Sequence, residues 1–207
     1  MELQDVLRRR RMVRSYLPDP IDRETLERIA SAARRAPSAG FSQGQGLIIV
    51  TDADLRRAIA AVLDEELYLS KGGSSWISTA PAHFIVTVDE ERYHARYREP
   101  DKLAESGGEE TGWPVPYWYV DAGAAMMLVL LAAIDEGLAA GFAGHPDQEA
   151  RLGELLGIPA GIVPIGVITV GKPAPRDELA LSSSAATKRR RRRDEVVHWQ
   201  RWGGAPA

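Results

Sequence analysis

Two groups of basic side chains lie near the two ends of the chain. The first comprises Arg8 to Arg11 with Arg14, and the second runs from Lys188 to Arg193. Together they supply eleven of the 26 lysines and arginines in a protein of formal net charge −3, so the rest of the chain is strongly acidic. Clustered positive charge of this kind indicates an anionic partner, for which a small phosphate, a nucleic acid and an acidic protein are all candidates.

The spacing of Arg10 and Arg14 allows both side chains to contact one anion. In an extended segment Arg10, Met12 and Arg14 project to the same side, and in a helix Arg10 and Arg14 share a face. A guanidinium offers two aligned hydrogen bonds to a phosphate, so two of them together would make a phosphate-binding pair. The alternative interpretation of the same residues is a solvated basic helix end.

Several other kinds of chemistry are excluded or disfavoured by the sequence. The absence of cysteine excludes disulfides, thiolate metal sites and a cysteine nucleophile. No Gly-x-Ser-x-Gly motif occurs, which disfavours a serine hydrolase. No metal site is expected, because the four histidines show no ligand spacing: His83, His94, His145 and His198. We assign no residue of the chain a direct catalytic role.

Apolar periodicity and capping residues predict the elements that must position these groups. Helices are expected over 22–35, after Asp52, over 120–136 and over 146–156, and strands over 46–51, 83–88 and 162–170. Helices and strands mix without a regular strand–helix–strand alternation, which favours the α+β class. The length suits one domain over 1–207.

Three segments have special character. The apolar run 122–134 is shorter than the ~20 residues that cross a bilayer, so we expect a core or subunit-interface helix, not a membrane span, and favour the interface. Prolines and glycines over 96–116 predict a long loop or lid. Residues 172–207 do not resemble a packed core, so we expect an extended arm that crosses to a partner subunit. The N-terminus lacks a signal-peptide core, which favours the cytoplasm.

The first segment that carries a family resemblance is Arg10-Arg11-Met12-Val13-Arg14-Ser15-Tyr16. It resembles the Arg-Arg-Ser-x-Arg-x-aromatic opening of the nitroreductase family of FMN-dependent enzymes. The resemblance implies that Arg10, Arg11 and Arg14 hold the FMN phosphate. Met12 stands where the family commonly has serine, and because a thioether is at best a weak acceptor it receives no hydrogen-bonding role.

The second segment is the nine-residue run from Ala36 to Gly44. It resembles the family's Ala-Pro-Ser-x-x-Asn-x-Gln-Pro loop, which lines the flavin, and so implies flavin contacts for Pro37, Ser38 and Gln43. Phe41 replaces the asparagine of many relatives, and we place it in the substrate pocket. The loop is also similar to the branch that contains the flavin-fragmenting enzyme of dimethylbenzimidazole synthesis.

The third segment is the C-terminal half, where 121–138 resembles the family's central helix and is followed by glycine-rich stretches of the family pattern, among them Gly141-Phe142-Ala143-Gly144. In relatives a backbone N–H in the region of Gly144 faces flavin N5. The run Arg189 to Arg193, followed by Glu-Val-Val-His, resembles the family's closing stretch, in which a basic residue returns to the FMN phosphate. The register favours Arg190 or Arg191.

The aromatic side chains Trp113, Tyr117 and Trp118 border the predicted lid. Rings with an apolar body and a polar tip can stack on an electron acceptor, and we place these three in the substrate pocket beside Phe41. They can equally pack the lid against the core, and the sequence leaves both interpretations open.

The resemblance implies a nitroreductase-like sandwich with a mixed central sheet flanked by helices, working as a homodimer. In that interpretation NAD(P)H reduces FMN, and a small organic acceptor such as a nitroaromatic or a quinone takes the electrons. The alternatives are a flavin-fragmenting enzyme, a non-catalytic flavin-binding protein and a polyanion-binding module that uses the basic ends. No nucleic-acid motif is present and most of the chain is acidic, so we do not expect nucleic acid as a partner.

Overall fold

The computed structural model describes residues 1–145, 147–175 and 189–205. The helices are α1 (Leu3–Arg9), α2 (Arg23–Ala33), α3 (Ala53–Val62), α4 (Glu65–Ser70), α5 (Glu91–Tyr97), α6 (Pro100–Ser106), α7 (Tyr117–Asp135) and α8 (Gln148–Leu156). The strands are β1 (Gln45–Val50), β2 (Ala82–Asp89), β3 (Ala139–Ala143) and β4 (Ile162–Gly171). Short 3-10 turns lie at Ala39–Phe41 and Arg193–Glu195.

The four strands form one sheet in the order β1-β2-β4-β3, and every described strand pair is antiparallel. The expectation of a mixed sheet is therefore wrong for the described strands. Among the described residues, parallel pairing is confined to an isolated bridge between Ala140 of β3 and Met12, which lies outside the named strands. An apolar run specifies that a strand is buried but not its direction, because direction depends on how the chain returns between strands.

Helices cover both faces of the sheet, so the α+β class and the flanking helices are confirmed. Alternate residues of β2 face opposite sides: Phe84 belongs to the apolar cluster of α2 and α7, whereas Ile85 belongs to the cluster of α3 and α8. The predicted helix caps are also present. The side chain of Asp22 accepts a hydrogen bond from the N–H of Thr25, and that of Asp52 accepts one from Leu55, each at 2.8 Å.

Helix α7 is the central helix of the domain. Among the described helices it alone has the length and apolarity of a membrane span, with 19 residues. It packs on α2 and on β2 and β3, and Ala122, Val129 and Ala133 are fully buried. This packing is that of a core helix. Val120 and Met127 are exposed, so part of its apolar surface remains uncovered within one chain.

The segment 96–116 is not a continuous loop, because α6 occupies its first half. Pro100 lies in the first turn of α6. The helix ends at Gly107, which has a left-handed φ of 81° that is incompatible with a further helical turn. Arg96 forms an ion pair with Asp101 at 2.7 Å. The seven-residue helix buries none of its side chains, so it lacks the apolar periodicity by which helices are predicted.

Candidate functional site

The basic N-terminal segment lies along the outer edge of β3. The N–H of Val13 donates to the carbonyl of Ala140 at 3.0 Å, beside the parallel bridge formed by Met12. The hydroxyl of Tyr16 lies 2.8 Å from Oγ1 of Thr169 on β4 and closes the segment onto the sheet. After the parallel bridge at Met12 the chain turns, because Tyr16 pairs with Pro173 and the N–H of Leu17 donates to the carbonyl of Lys172, beyond the Ala139 end of β3.

The predicted phosphate-binding arginines do not share one environment. The guanidinium of Arg14 lies 5.3 Å from the ring centroid of Trp76 and makes no ion pair with the described residues. Arg11 instead lines a separate cavity of about 370 Å³ together with Arg8 and Arg9, beside the end of α7. Arg10 is the half-buried residue at the end of α1. Side chains alternate along an extended segment, so Arg11 and Arg14 project to different sides. The sequence predicts the same alternation, with Arg10 and Arg14 on one side and the residues next to them on the other.

Gly144 lies just beyond the end of β3 and is exposed. A Cβ at this position would meet Gln148 at 3.7 Å and Phe142 at 3.8 Å, which is ordinary van der Waals contact. The packing of the chain itself therefore leaves space beside this backbone. A ligand could approach the main chain closely here, as the resemblance implies for the flavin ring.

The loop 37–44 is held from three sides before it enters β1. Within the loop, Oγ of Ser38 accepts a hydrogen bond from the N–H of Gln43 at 3.0 Å. From α7, a carboxylate oxygen of Asp121 accepts the N–H of Ala39 at 2.9 Å. From α5, Nε of Arg96 donates to the carbonyl of Gly40 at 2.9 Å. These bonds make the loop rigid enough to present side chains in a defined geometry.

Two side chains of this loop are presented from left-handed backbone conformations. Phe41 has a φ of 60° and Gln43 a φ of 52°, which non-glycine residues seldom adopt and which cluster at functional sites. Both side chains are exposed, and Phe41 is 75% accessible. Gly44 is required by close packing, since a Cβ there would lie 2.5 Å from the carbonyl oxygen of Asp89 and 2.4 Å from the Tyr93 ring. Pro37 is exposed at the start of the loop.

The aromatic residues near the segment 107–116 form a packed cluster on α5. Trp118 is only 7% exposed, and its ring lies 5.9 Å from that of Tyr93 and 5.6 Å from that of Trp113. The ring of Trp118 thus packs in the core of the described chain, and its place in the substrate pocket stays a prediction. Trp113 packs 4.6 Å from Tyr97 and is partly buried, whereas Tyr117 is exposed. The packing interpretation thus holds for Trp118, and Tyr117 alone of the three is openly accessible.

The acidic residue Glu110 ties this cluster together. It accepts hydrogen bonds from Nε1 of Trp113 at 3.1 Å and Nε of Arg98 at 2.7 Å, and it contacts the ring of His94. The hydrogen bond between Glu110 and His94 is the largest contribution to both of their pKa shifts. It lowers the pKa of Glu110 to about 2 and raises the pKa of His94. The pair therefore holds 107–116 on α5 through charge.

The N-terminal segment and the loop 37–44 lie at diagonally opposite corners of the sheet. Gln45 at the start of β1 is in register with Val88, which pairs with Val163 on β4, whereas Ala140 on β3 pairs with Val170. The corners are separated by about 14 Å across the strands and roughly 20 Å along them. The sheet with its covering helices lies between them, so one chain cannot bring both to the same ligand.

Comparison with known proteins places this geometry in a family. The model of the nitroreductase family matches residues 7–172. The chain belongs to the nitroreductase family. It is 29% identical over 172 residues to the FMN reductase [NAD(P)H] of Bacillus subtilis, a match that covers 80% of this chain and 64% of that protein. Part of the relative thus has no counterpart here.

Two further proteins match over more of their own length. An Archaeoglobus fulgidus protein, assigned as an NADH dehydrogenase/NAD(P)H nitroreductase, is 30% identical over 172 residues, covering 82% of this chain and 83% of that one. The structure of NfrA1 from B. megaterium superposes with a TM-score of 0.74 at 22% identity, covering 100% of this chain and 76% of the other. At that identity the superposition shows the fold.

The basic run that resembles the family's closing stretch is described only in part. Lys188 and the connection 176–188 lie outside the described residues. Arg190 and Arg191 are exposed, and Arg191 already contacts Glu195, with a side-chain separation of 3.8 Å. Arg190 makes no side-chain hydrogen bond or ion pair with the described residues, so of the two it has the more available guanidinium. Its role at the FMN phosphate stays a prediction.

Sequence reasoning missed the residues that support the site. Asp121 entered the sequence interpretation only as part of the stretch 121–138 that resembles the family's central helix, yet its buried carboxylate organises the loop 37–44. A carboxylate inside an apolar helix is a usable signal, because a buried charge needs partners. Trp76, which contacts Arg14, belongs to the polar loop 74–78, and Glu65, which holds that loop, is the first residue of α4; neither carries a comparable signal.

Proposed function

We propose that this protein is an FMN-dependent oxidoreductase that accepts hydride from NAD(P)H and passes the electrons to a small organic acceptor. One observation carries the proposal. The guanidinium of Arg14, unpaired by any carboxylate of the described residues, lies on the same sheet edge as the open backbone of Gly144. Membership of the nitroreductase family and the names of the relatives, FMN reductase and NAD(P)H nitroreductase, support it.

The groups at the two corners suit the chemistry of FMN. Arg14, with Arg10 nearby in sequence, supplies donors for the phosphate. The amide of Gln43 can both donate and accept, as a flavin ring edge requires, and it makes no side-chain hydrogen bond with the described residues. When bound, FMN supplies the reversible uptake of hydride, and the protein supplies binding and orientation. This division of labour fits a site to which we assign no catalytic side chain.

We propose that the protein works as a homodimer in which each FMN contacts both subunits. The separation of the two corners supports this, because a two-fold pairing can bring the loop 37–44 of one subunit to Arg14 of the other. The uncovered apolar side chains Val120 and Met127 on α7, and the arm that includes 189–205, are available for such an interface. Obligate interfaces of this type are large and apolar.

The acceptor in this proposal is a small planar molecule such as a nitroaromatic or a quinone. Phe41 is exposed and rigidly presented, and Tyr117 is accessible, so two aromatic faces are available for stacking. A cytoplasmic location fits a donor such as NAD(P)H.

Stepwise anaerobic reduction tests the proposal. Purified protein is loaded with FMN, NADH or NADPH is added, and bleaching of the flavin absorbance near its visible maximum is followed by addition of nitroaromatic or quinone. We expect bleaching by at least one donor and recovery of the absorbance with the acceptor. Bleaching without recovery would indicate a non-catalytic flavin protein, and absence of flavin binding would contradict the proposal. Loss of FMN under oxygen with formation of a benzimidazole would indicate the flavin-fragmenting branch.

A further inference from the structure

We propose that Trp76 is a positioning residue, which holds the guanidinium of Arg14 ready for the phosphate of FMN, and that Glu65 fixes Trp76 in turn. The inference rests on the proposed function, since it assumes that Arg14 binds that phosphate. It concerns a loop, residues 74–78, that carries no ligand-binding motif.

The first contact is between the Arg14 guanidinium and the indole of Trp76. The two are 5.3 Å apart, within the range of a cation–π interaction. The same loop also contacts the main chain of Arg14, because Oγ of Ser74 lies 3.4 Å from its carbonyl oxygen. Trp76 is 5% exposed, so one side of its ring system lies in the core. Side chain and main chain of Arg14 are therefore held by one loop.

The approach of Trp76 to the sheet edge depends on Gly141 of β3. A Cβ at Gly141 would lie 3.0 Å from Cζ3 of Trp76 and 2.4 Å from the carbonyl oxygen of Val13. Any side chain there would push away the indole or the N-terminal segment, and with it Arg14. Glycine at this position lets the three parts meet.

Glu65 anchors the loop from α4. Its buried carboxylate accepts backbone N–H groups from Trp76 at 2.8 Å, Ile77 at 2.6 Å and Ser78 at 3.2 Å. Hydrogen bonds to an ionised acceptor are stronger than neutral ones, and three of them define the shape of the turn. Nε2 of His83 also lies 2.7 Å from the carbonyl oxygen of Ile77, so β2 supports the same turn.

The choice of tryptophan indicates that the ring face matters. The indole N–H is buried and has no hydrogen-bond partner among the described residues, which costs free energy that a phenylalanine would not incur. Tryptophan is, however, the ring that attracts a cation most strongly. Holding a long arginine side chain before the phosphate arrives reduces the entropy lost on binding. A positioning role for Arg14 explains why this residue is a tryptophan, whereas a need to fill the core alone does not explain it.

The test compares FMN with riboflavin, which has the same ring system but no phosphate. Dissociation constants of both flavins for the flavin-free protein are measured by quenching of flavin fluorescence, for the wild type, Trp76→Leu, Trp76→Phe and Arg14→Ala. We expect Trp76→Leu to weaken FMN binding about three- to tenfold and to leave riboflavin binding unchanged. Trp76→Phe should retain most of the affinity. In the double variant with Arg14→Ala, Trp76→Leu should add little.

A matched control is Tyr68→Leu, which removes a ring that packs 6.5 Å from Trp76 and makes no cation–π contact with Arg14 among the described residues. Thermal unfolding of each variant confirms that it is folded. Equal weakening of FMN and riboflavin by Trp76→Leu, or an equal effect of Tyr68→Leu on FMN selectivity, would show a structural role only and overturn the inference. Those results leave the proposed function intact. A wild type that binds neither flavin would instead overturn the proposed function, and the inference with it.

Discussion

The hydroxyl of Tyr93 donates to the carboxylate of Asp121 across 2.8 Å, and the same oxygen accepts the backbone N–H of Ala39 at 2.9 Å. One buried oxygen thus joins α5, α7 and the loop that is proposed to contact the flavin. Burial, with the bond to Asp121, raises the pKa of Tyr93 far above its ordinary value, so the phenol stays protonated as a donor at physiological pH. The geometry of the loop therefore depends on residues outside the loop.

Replacing Asp121 with asparagine is expected to destabilise the protein by about 1–3 kcal/mol, because the two donors lose an ionised acceptor in a buried position. Tyr93→Phe is the matched control. It removes one of the two hydrogen bonds and should cost about 1 kcal/mol. Urea unfolding measures both, and hydrogen exchange at the Ala39 amide reports on the loop directly. Unchanged protection of that amide in Asp121→Asn would contradict the anchoring role.

The double variant Arg10→Ala with Arg14→Ala should lose FMN while remaining folded. Each charge-assisted contact to phosphate contributes about 1.5–3 kcal/mol, so the affinity should fall more than roughly a hundredfold. Arg11→Ala is the comparison, because Arg11 lines a different cavity and should have a much smaller effect. Equilibrium dialysis with FMN measures both. FMN affinity that is unchanged in the double variant would sink the phosphate assignment.

Subunit mixing tests the shared site. Arg14→Ala subunits are combined with subunits that carry Ser38→Ala and Gln43→Ala, and the heterodimer is isolated by means of two affinity tags. If both subunits build each site, the heterodimer has one intact site and one doubly damaged site, and its FMN occupancy should recover to about half of the wild-type value. No recovery would mean that each site lies within one chain. Sedimentation of a folded, flavin-loaded monomer at micromolar concentration would contradict the dimer itself.

Stability should depend on pH through His94 and Glu110. The pKa of His94 is raised, chiefly by its hydrogen bond to Glu110, so its contribution is complete below its unfolded value near 6.5 and is lost as the pH rises through the folded value. The pKa of Glu110 is lowered to about 2, so its contribution is present above its ordinary value of 4.5 and is lost as the pH falls toward 2.

The contribution of His94 and Glu110 to the melting temperature should therefore be largest between about pH 4.5 and 6.5. The melting temperature should fall as the pH rises above that range. His94→Gln should remove much of that alkaline loss. Thermal melts at half-unit steps of pH measure the difference between variant and wild type. An identical alkaline slope in His94→Gln would show that another group controls it.

Within the arginine run, Arg190→Ala should reduce FMN retention, whereas Arg192→Ala should not. Arg192 already pairs with Asp194, and Arg190 makes no side-chain contact of that kind among the described residues. DNA binding measured at two salt concentrations separates the alternative, a polyanion-binding arm in which all five arginines contribute similarly and binding weakens steeply with salt. Equal and flavin-independent effects at all five positions would support that arm.

Much of the fold follows from local patterns. Asp22 and Asp52 cap helices where the sequence predicts helix starts, and β2 and β4 agree with the predicted strands to within one residue. These features depend on neighbours in the sequence, and apolar periodicity reports them directly. The short helices α4, α5 and α6 and the strand β3 were not predicted. They are brief and governed by distant contacts, as when Tyr93 on α5 contacts Asp121.

The sequence by itself determined that Arg10 and Arg14 share a spacing suited to phosphate, and that the loop around Ser38 and Gln43 resembles a flavin-contacting one. Those are properties of residue type and order. Only the tertiary structure decided that Trp118 is a core residue, that Arg14 rests on Trp76, and that the two halves of the site lie at opposite corners of the sheet. The order and direction of strands arise from long-range pairing, which residue periodicity does not encode.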